Sequence, residues 1–209
     1  MAYDLEEQEQ IATLKAWWKD YGHYLLGAVI AVSLTGAGWL GWRNWQAGQA
    51  QAASAQYEAL VRAAQGGELK AMREAGAALA ENYSGTVYAS LGALAAARTL
   101  FERGELKGAR AQLQWVLERG ASDELKDLAR LRLAAVLLDE KGYDEALKLM
   151  EAKPAAPLEP QYQVMKGDLL LAKNQPAEAR AAYRAALDKA GGSEAFRASI
   201  QLRLDALGG

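Results

Sequence analysis

The 209-residue sequence contains no cysteine, one histidine, four prolines and two phenylalanines. Without cysteine there are neither disulfides nor thiol chemistry, which is compatible with an oxidising compartment without proving one. The lone histidine, His23, sits at the edge of an apolar stretch near the start, so no Ser-His or Cys-His site can be assembled in the rest of the chain. An interfacial ring accounts for His23 better than a metal ligand or a proton relay. Carboxylate pairs do occur, at Asp139 and Glu140 and at Asp144 and Glu145, but they fall on turns where solvent and helix N-termini explain them better than acid catalysis. The sequence has no P-loop for phosphate. No catalytic, metal or cofactor-binding residue is therefore assigned, and enzyme is the least favoured class.

Charge of one sign is also missing. Beyond the apolar stretch and its flanks the chain carries 21 basic and 21 acidic residues, so neither nucleic acid nor acidic lipid headgroups are obvious partners.

The stretch from Gly22 to Trp42 has 21 residues without a fixed charge. A bilayer core about 30 Å thick takes roughly 20 apolar residues in a helix, so this segment is long enough to span it. Five of the six tryptophans lie between positions 17 and 45, with Trp17, Trp18, Tyr21 and Tyr24 at one end and Trp39, Trp42 and Trp45 at the other. Amphipathic rings settle at the two headgroup levels, and this pattern predicts an uncleaved membrane helix. A signal peptide would have a shorter apolar region followed soon by small residues, whereas the first A-x-A, Ala50-Gln51-Ala52, comes well past the tryptophans. Lys15 and Lys19 precede the span, only Arg43 follows closely, and the next basic residue is Arg62. That count places the amino terminus in the cytoplasm and the large domain outside it. Within the span Ser33, Ala37 and Gly41 recur every four residues, either as a seam for another membrane helix or as ordinary small-residue enrichment. The acidic tail, with Asp4, Glu6, Glu7 and Glu9 among Leu5, Ile11, Leu14 and Trp18, reads as a short amphipathic helix near the membrane or a contact for a cytoplasmic protein. The domains are thus 1–21 tail, 22–42 span and 43–209 repeat domain.

The remainder repeats. "GELKAM" at Gly67 to Met72, "GELKGA" at Gly104 to Ala109, "GYDEAL" at Gly142 to Leu147 and "QPAEAR" at Gln175 to Arg180 are spaced 37, 37 and 33 residues apart when aligned on their turns. Ala109, Ala146 and Ala179 occupy one small position, and Ala97, Ala134 and Gly167 stand twelve residues before each. These read as the close approach of a helix hairpin. Leu100, Leu137 and Leu170 recur at one register, Leu106, Tyr143 and Pro176 at the turn, and Leu113, Met150 and Tyr183 at a larger register of the second helices. Units of about 34 residues with this pattern predict an all-α fold, a tetratricopeptide repeat (TPR)-like α-solenoid of helix hairpins; an alanine-rich bundle is the blander alternative. The first unit is degenerate, with Met72 at the small position and Gly76 at a large one. The prolines of "KPAAPLEP", 153–160, should shorten the helix before them, and Ser193 is a candidate N-cap for a final helix ending at Leu207.

In a TPR-like array the first helix of each hairpin lines one face. The register puts Leu91, Leu94, Phe101, Leu128, Leu131, Leu138, Val164 and Leu171 there. Such an apolar face is either a groove for an apolar or partly unfolded polypeptide or a surface covered by the terminal helix or by tighter superhelical packing.

The acidic tail ending in "LKAWWKDYG", the glycine-rich span closed by "GWRNW" at 41–45, "YASLGALAAARTLFERGELKGARAQLQ" at 88–114 and "LKDLARLRLA" at 125–134 together resemble the YfgM-like ancillary subunits of the SecYEG translocon. The resemblance runs from the tail to the last repeat. It implies a type II, single-pass inner-membrane protein with a TPR-like domain in the periplasm. The partners it implies are the SecYEG translocon, a membrane-anchored PpiD-type periplasmic chaperone and emerging secretory polypeptides, alongside membrane lipid. It carries no catalytic residues and no cofactor. The family's tail has been linked to an envelope stress response, so the second function implied is a membrane-anchored regulator acting through residues 1–21.

Overall fold

The computed structural model describes the backbone of residues 2–208 and the side chains of residues 11–208, so Asp4, Leu5, Glu6, Glu7 and Glu9 of the tail lie outside the described side chains. The described residues form nine α-helices and no strand: α1 Ala2–Gly66, α2 Leu69–Asn82, α3 Val87–Glu102, α4 Leu106–Arg119, α5 Asp123–Asp139, α6 Tyr143–Leu149, α7 Glu159–Ala172, α8 Pro176–Lys189 and α9 Glu194–Ala206. By its contacts the chain divides into two units, Met1–Gln49 and Ala50–Gly209.

In the first unit the helix is long and apolar enough to cross a membrane, and none of its most apolar window is buried within the protein. Val32 is 73 % exposed and Trp39 68 %. A helix apolar on every side has no face to give to water, and lipid is the solvent that suits it.

The second unit is a chain of hairpins, because sequence neighbours pack in order: α2 on α3, α3 on α4, α4 on α5, α5 on α6, α7 on α8 and α8 on α9. Each hairpin turns in the same way. Gly67, Gly104, Lys141 and Asn174 all adopt positive φ, at 78°, 76°, 62° and 61°. The residue after each donates its backbone N–H five residues back, Glu68 to the carbonyl of Ala63, Glu105 to Leu100, Gly142 to Leu137 and Gln175 to Leu170, at 2.8 to 2.9 Å. This is the Schellman arrangement, which satisfies carbonyls that the ending helix leaves open. The unit with the degenerate sequence shares it.

Side chains then set how near the two helices of a hairpin come. Ala109, Ala146 and Ala179 are fully buried, as are Ala97, Ala134 and Gly167 opposite them. A Cβ on Gly167 would stand 2.4 Å from the ring of Tyr183. In the first hairpin the order inverts: Met72 is buried at the small position and Leu60 of α1 reaches over Gly76, 3.6 Å from where its Cβ would be. Thr86, Ser122 and Ser193 cap α3, α5 and α9 by accepting from the N–H groups of Ala89, Leu125 and Phe196. Helix α6 ends at Leu149 after seven residues, and a 3-10 turn, Ala156–Leu158, leads into α7.

Two buried polar side chains hold the connections between hairpins. Ser90 Oγ accepts the N–H of Ala121 at 3.0 Å, and Asp127 Oδ2 accepts that of Ala155 at 2.8 Å. They stand 37 residues apart, at one position of the repeat. Arg130 pairs with the other oxygen of Asp127, and Tyr162 Oη donates to the Asp127 backbone carbonyl at 2.8 Å. The carboxylate is therefore buried with its partners present, which removes most of the cost of taking it from water.

Candidate protein-interaction site

The eight residues expected on an open face do not all lie there. Leu94 is a correction: it is 3 % exposed and part of the main core, because α5 packs alongside α3 and covers it. Phe101, Leu128, Leu131 and Leu138 are half-buried against that same core, Val164 is half-buried against the smaller core of α7, α8 and α9, and Leu91 is half-buried. Leu171, at 43 %, is the one of the eight that is exposed. The face is therefore a shallow apolar surface whose side chains also serve the interior.

One part of it is concave. A cleft of about 310 Å³ opens between α3 and α5, lined by Ala97, Arg98, Phe101, Arg132, Ala135 and Val136, with Leu113 of α4 at its base. Arg132 Nη1 donates to the Leu94 carbonyl at 3.2 Å, which fixes the guanidinium across the two helices. Burial, and then the charge of Arg98, push the Arg132 pKa below the ordinary arginine value. Arg98 in turn donates to Glu102 at 2.8 Å on the exposed side of α3. The apolar register points to Leu131 and passes over Arg132, since nothing in the local sequence distinguishes Arg132 from a solvated arginine.

Ion pairs tie neighbouring hairpins together around this surface. Arg110 bonds both Glu140 at 3.1 Å and Glu145 at 2.6 Å, Arg73 pairs with Glu105 one repeat earlier, and Lys173 pairs with Asp144 at 2.6 Å. Arg73 and Arg110 are 37 residues apart, so these contacts also follow the repeat.

Ser33, Ala37 and Gly41 lie on the described part of α1 and are exposed along the apolar segment. In the same segment Gly36, Gly38 and Gly41 have the spacing of a dinucleotide-binding loop. They lie mid-helix, where the backbone N–H groups are committed to helical bonds, so the match carries no phosphate chemistry. Among the described residues no group of three or more His, Asp or Glu side chains is placed to hold a metal ion.

Residues 15–209 match the family model of a tetratricopeptide repeat-like domain. A protein of Neisseria gonorrhoeae named ancillary SecYEG translocon subunit is 32 % identical over 208 residues, covering 99 % of this chain and all of the relative. Proteins of the same name from Haemophilus influenzae and Escherichia coli are each 29 % identical over 202 residues, covering 97 % and 96 % of this chain and 98 % and 96 % of the relatives. No solved structure matched significantly. An apolar helix followed by TPR-like hairpins, aligned end to end with these relatives, shows that the chain belongs to the family of ancillary SecYEG translocon subunits.

Proposed function

We propose that the protein is a noncatalytic ancillary subunit of the Sec translocon, a membrane-tethered adaptor whose repeat domain faces the periplasm. It links the channel to a membrane-anchored periplasmic chaperone of the PpiD type and to secretory polypeptides as they emerge. The observation that carries this reading is the similarity to named translocon subunits across both the apolar helix and the repeats. The charge count supports the orientation, with Lys15 and Lys19 before the span against Arg43 after it. A tether of this kind converts a bimolecular search into a local one, so a shallow surface with modest affinity is sufficient.

Photocrosslinking in cells tests it, with one probe at Ala37 in the apolar helix and another at Leu171, the exposed member of the repeat face. Crosslinks from Ala37 to a channel subunit and from Leu171 to a chaperone or a secretory polypeptide are the expected result. Self-crosslinks alone from Ala37, with no polypeptide captured at Leu171, would overturn the reading. Protease digestion from the periplasmic side checks the orientation and should remove the repeat domain.

A further inference from the structure

We propose that the cleft between α3 and α5 reads a carboxylate: it takes a polypeptide segment in which an acidic side chain stands beside an apolar one. This deepens the polypeptide-binding reading above and rests on it. The acidic group would meet Arg132, and the apolar neighbour would lie on Phe101, Ala97, Ala135 and Val136.

The cleft has the volume of a small ligand site, and its walls combine an apolar floor with two guanidinium groups, the composition that orients a ligand by a few polar contacts. Among the described residues Arg132 bonds to the Leu94 carbonyl, which fixes the fork while occupying one of its five N–H donors. No carboxylate among the described side chains pairs with it. Arg98, the other arginine of the cleft, has an acidic partner in Glu102, so Arg132 is the guanidinium of the cleft left without a carboxylate. The half-buried Arg132 guanidinium is short of water and of counter-charge at once, and a ligand carboxylate supplies the counter-charge in the bidentate geometry that arginine favours. Glu102 modulates the site: it neutralises Arg98 in the absence of ligand and opposes the approach of an anion.

The test uses the full chain in detergent micelles and fluorescence anisotropy with a short labelled peptide of alternating Leu and Glu, against its counterpart of Leu and Gln. The Glu peptide should bind about tenfold more tightly, the effect of one charge-assisted hydrogen-bonded contact. Arg132→Gln should erase that preference while the Gln peptide binds as before. Glu102→Gln should tighten binding of the Glu peptide alone. Ala135→Trp, which fills the cleft and leaves both arginines in place, should weaken both peptides. Circular dichroism establishes that each variant is folded; if Arg132→Gln is not, Glu102→Gln and Ala135→Trp decide. Equal binding of the two peptides overturns carboxylate recognition and leaves the polypeptide surface standing. Binding of neither peptide overturns both, while the translocon association is judged separately by the Ala37 crosslink.

Discussion

The hairpins α3/α4 and α7/α8 close the same helix crossing with different side chains. In α3/α4 the buried Ala97 and Leu113 hold the positions that in α7/α8 are held by Gly167 and the Tyr183 ring lying against it. The larger ring is accommodated by a smaller partner, and the phenol finds a place for its hydroxyl by donating to Asp168 at 2.7 Å. Burial and the neighbouring Asp168 carboxylate both push the Tyr183 pKa well up, so the hydroxyl stays a donor at any ordinary pH. What the repeat conserves is the volume between two helices, with side-chain identity free to vary as long as the pair compensates. The first hairpin extends the rule, since Met72 and Gly76 exchange large and small along one helix while Leu60 fills the gap.

The strongest way to break this comparison is Gly167→Ala, which makes the small position of α7/α8 like that of α3/α4 but leaves the ring in its path. The Cβ clash should cost about 2–3 kcal/mol, read as a fall in the denaturation midpoint. Adding Tyr183→Leu should restore most of it, because the pair then matches Ala97 and Leu113; simple additivity of the two losses would refute compensation. Asp127→Ala comes next, at about 2 kcal/mol in chemical denaturation, since it strands the Ala155 N–H and the Arg130 guanidinium. The equivalent change in the hairpin before, Ser90→Ala, removes one neutral acceptor and should cost only about 1 kcal/mol. The smallest effect concerns the link between hairpins. Hydrogen bonding from Lys173, then its charge, lowers the Asp144 pKa below the usual carboxylate range. A carboxyl depressed on folding contributes stability that is complete above the unfolded value and lost as pH falls through the folded one. Denaturation at neutral and at strongly acid pH should therefore show a small Asp144–Lys173 coupling in a double-mutant cycle that vanishes in acid; a pH-independent coupling would exclude the ion pair.

The repeat was legible because its signals are local and periodic. Small residues at 97, 109, 134, 146, 167 and 179 mark the crossings, and the 37, 37 and 33 spacing of the turns reappears as four left-handed residues. Ser193 could be recognised as an N-cap for the same reason. The connections were not legible. A serine or an aspartate in an amphipathic helix ordinarily faces water, and only the arrival of a backbone N–H from 31 or 28 residues further on makes Ser90 and Asp127 interior. Leu94 was misplaced for a related reason: helical periodicity assigns a residue to a face, and whether the next hairpin covers that face depends on how tightly successive units stack. Arg132 shares both difficulties, being polar and defined by a long-range contact.

The two pins between hairpins also bear on how the domain opens. Ala121 and Ala155 lie outside the α-helices, yet their N–H groups end on side chains sealed inside the preceding hairpin. These bonds exist only while one hairpin stacks on the next, so the two amides should exchange with solvent more slowly than the other loop amides beside them. They form a natural pair of reporters on the array, one for the α4–α5 junction and one for the α6–α7 junction, distinguishing the fraying of a single hairpin from the parting of two.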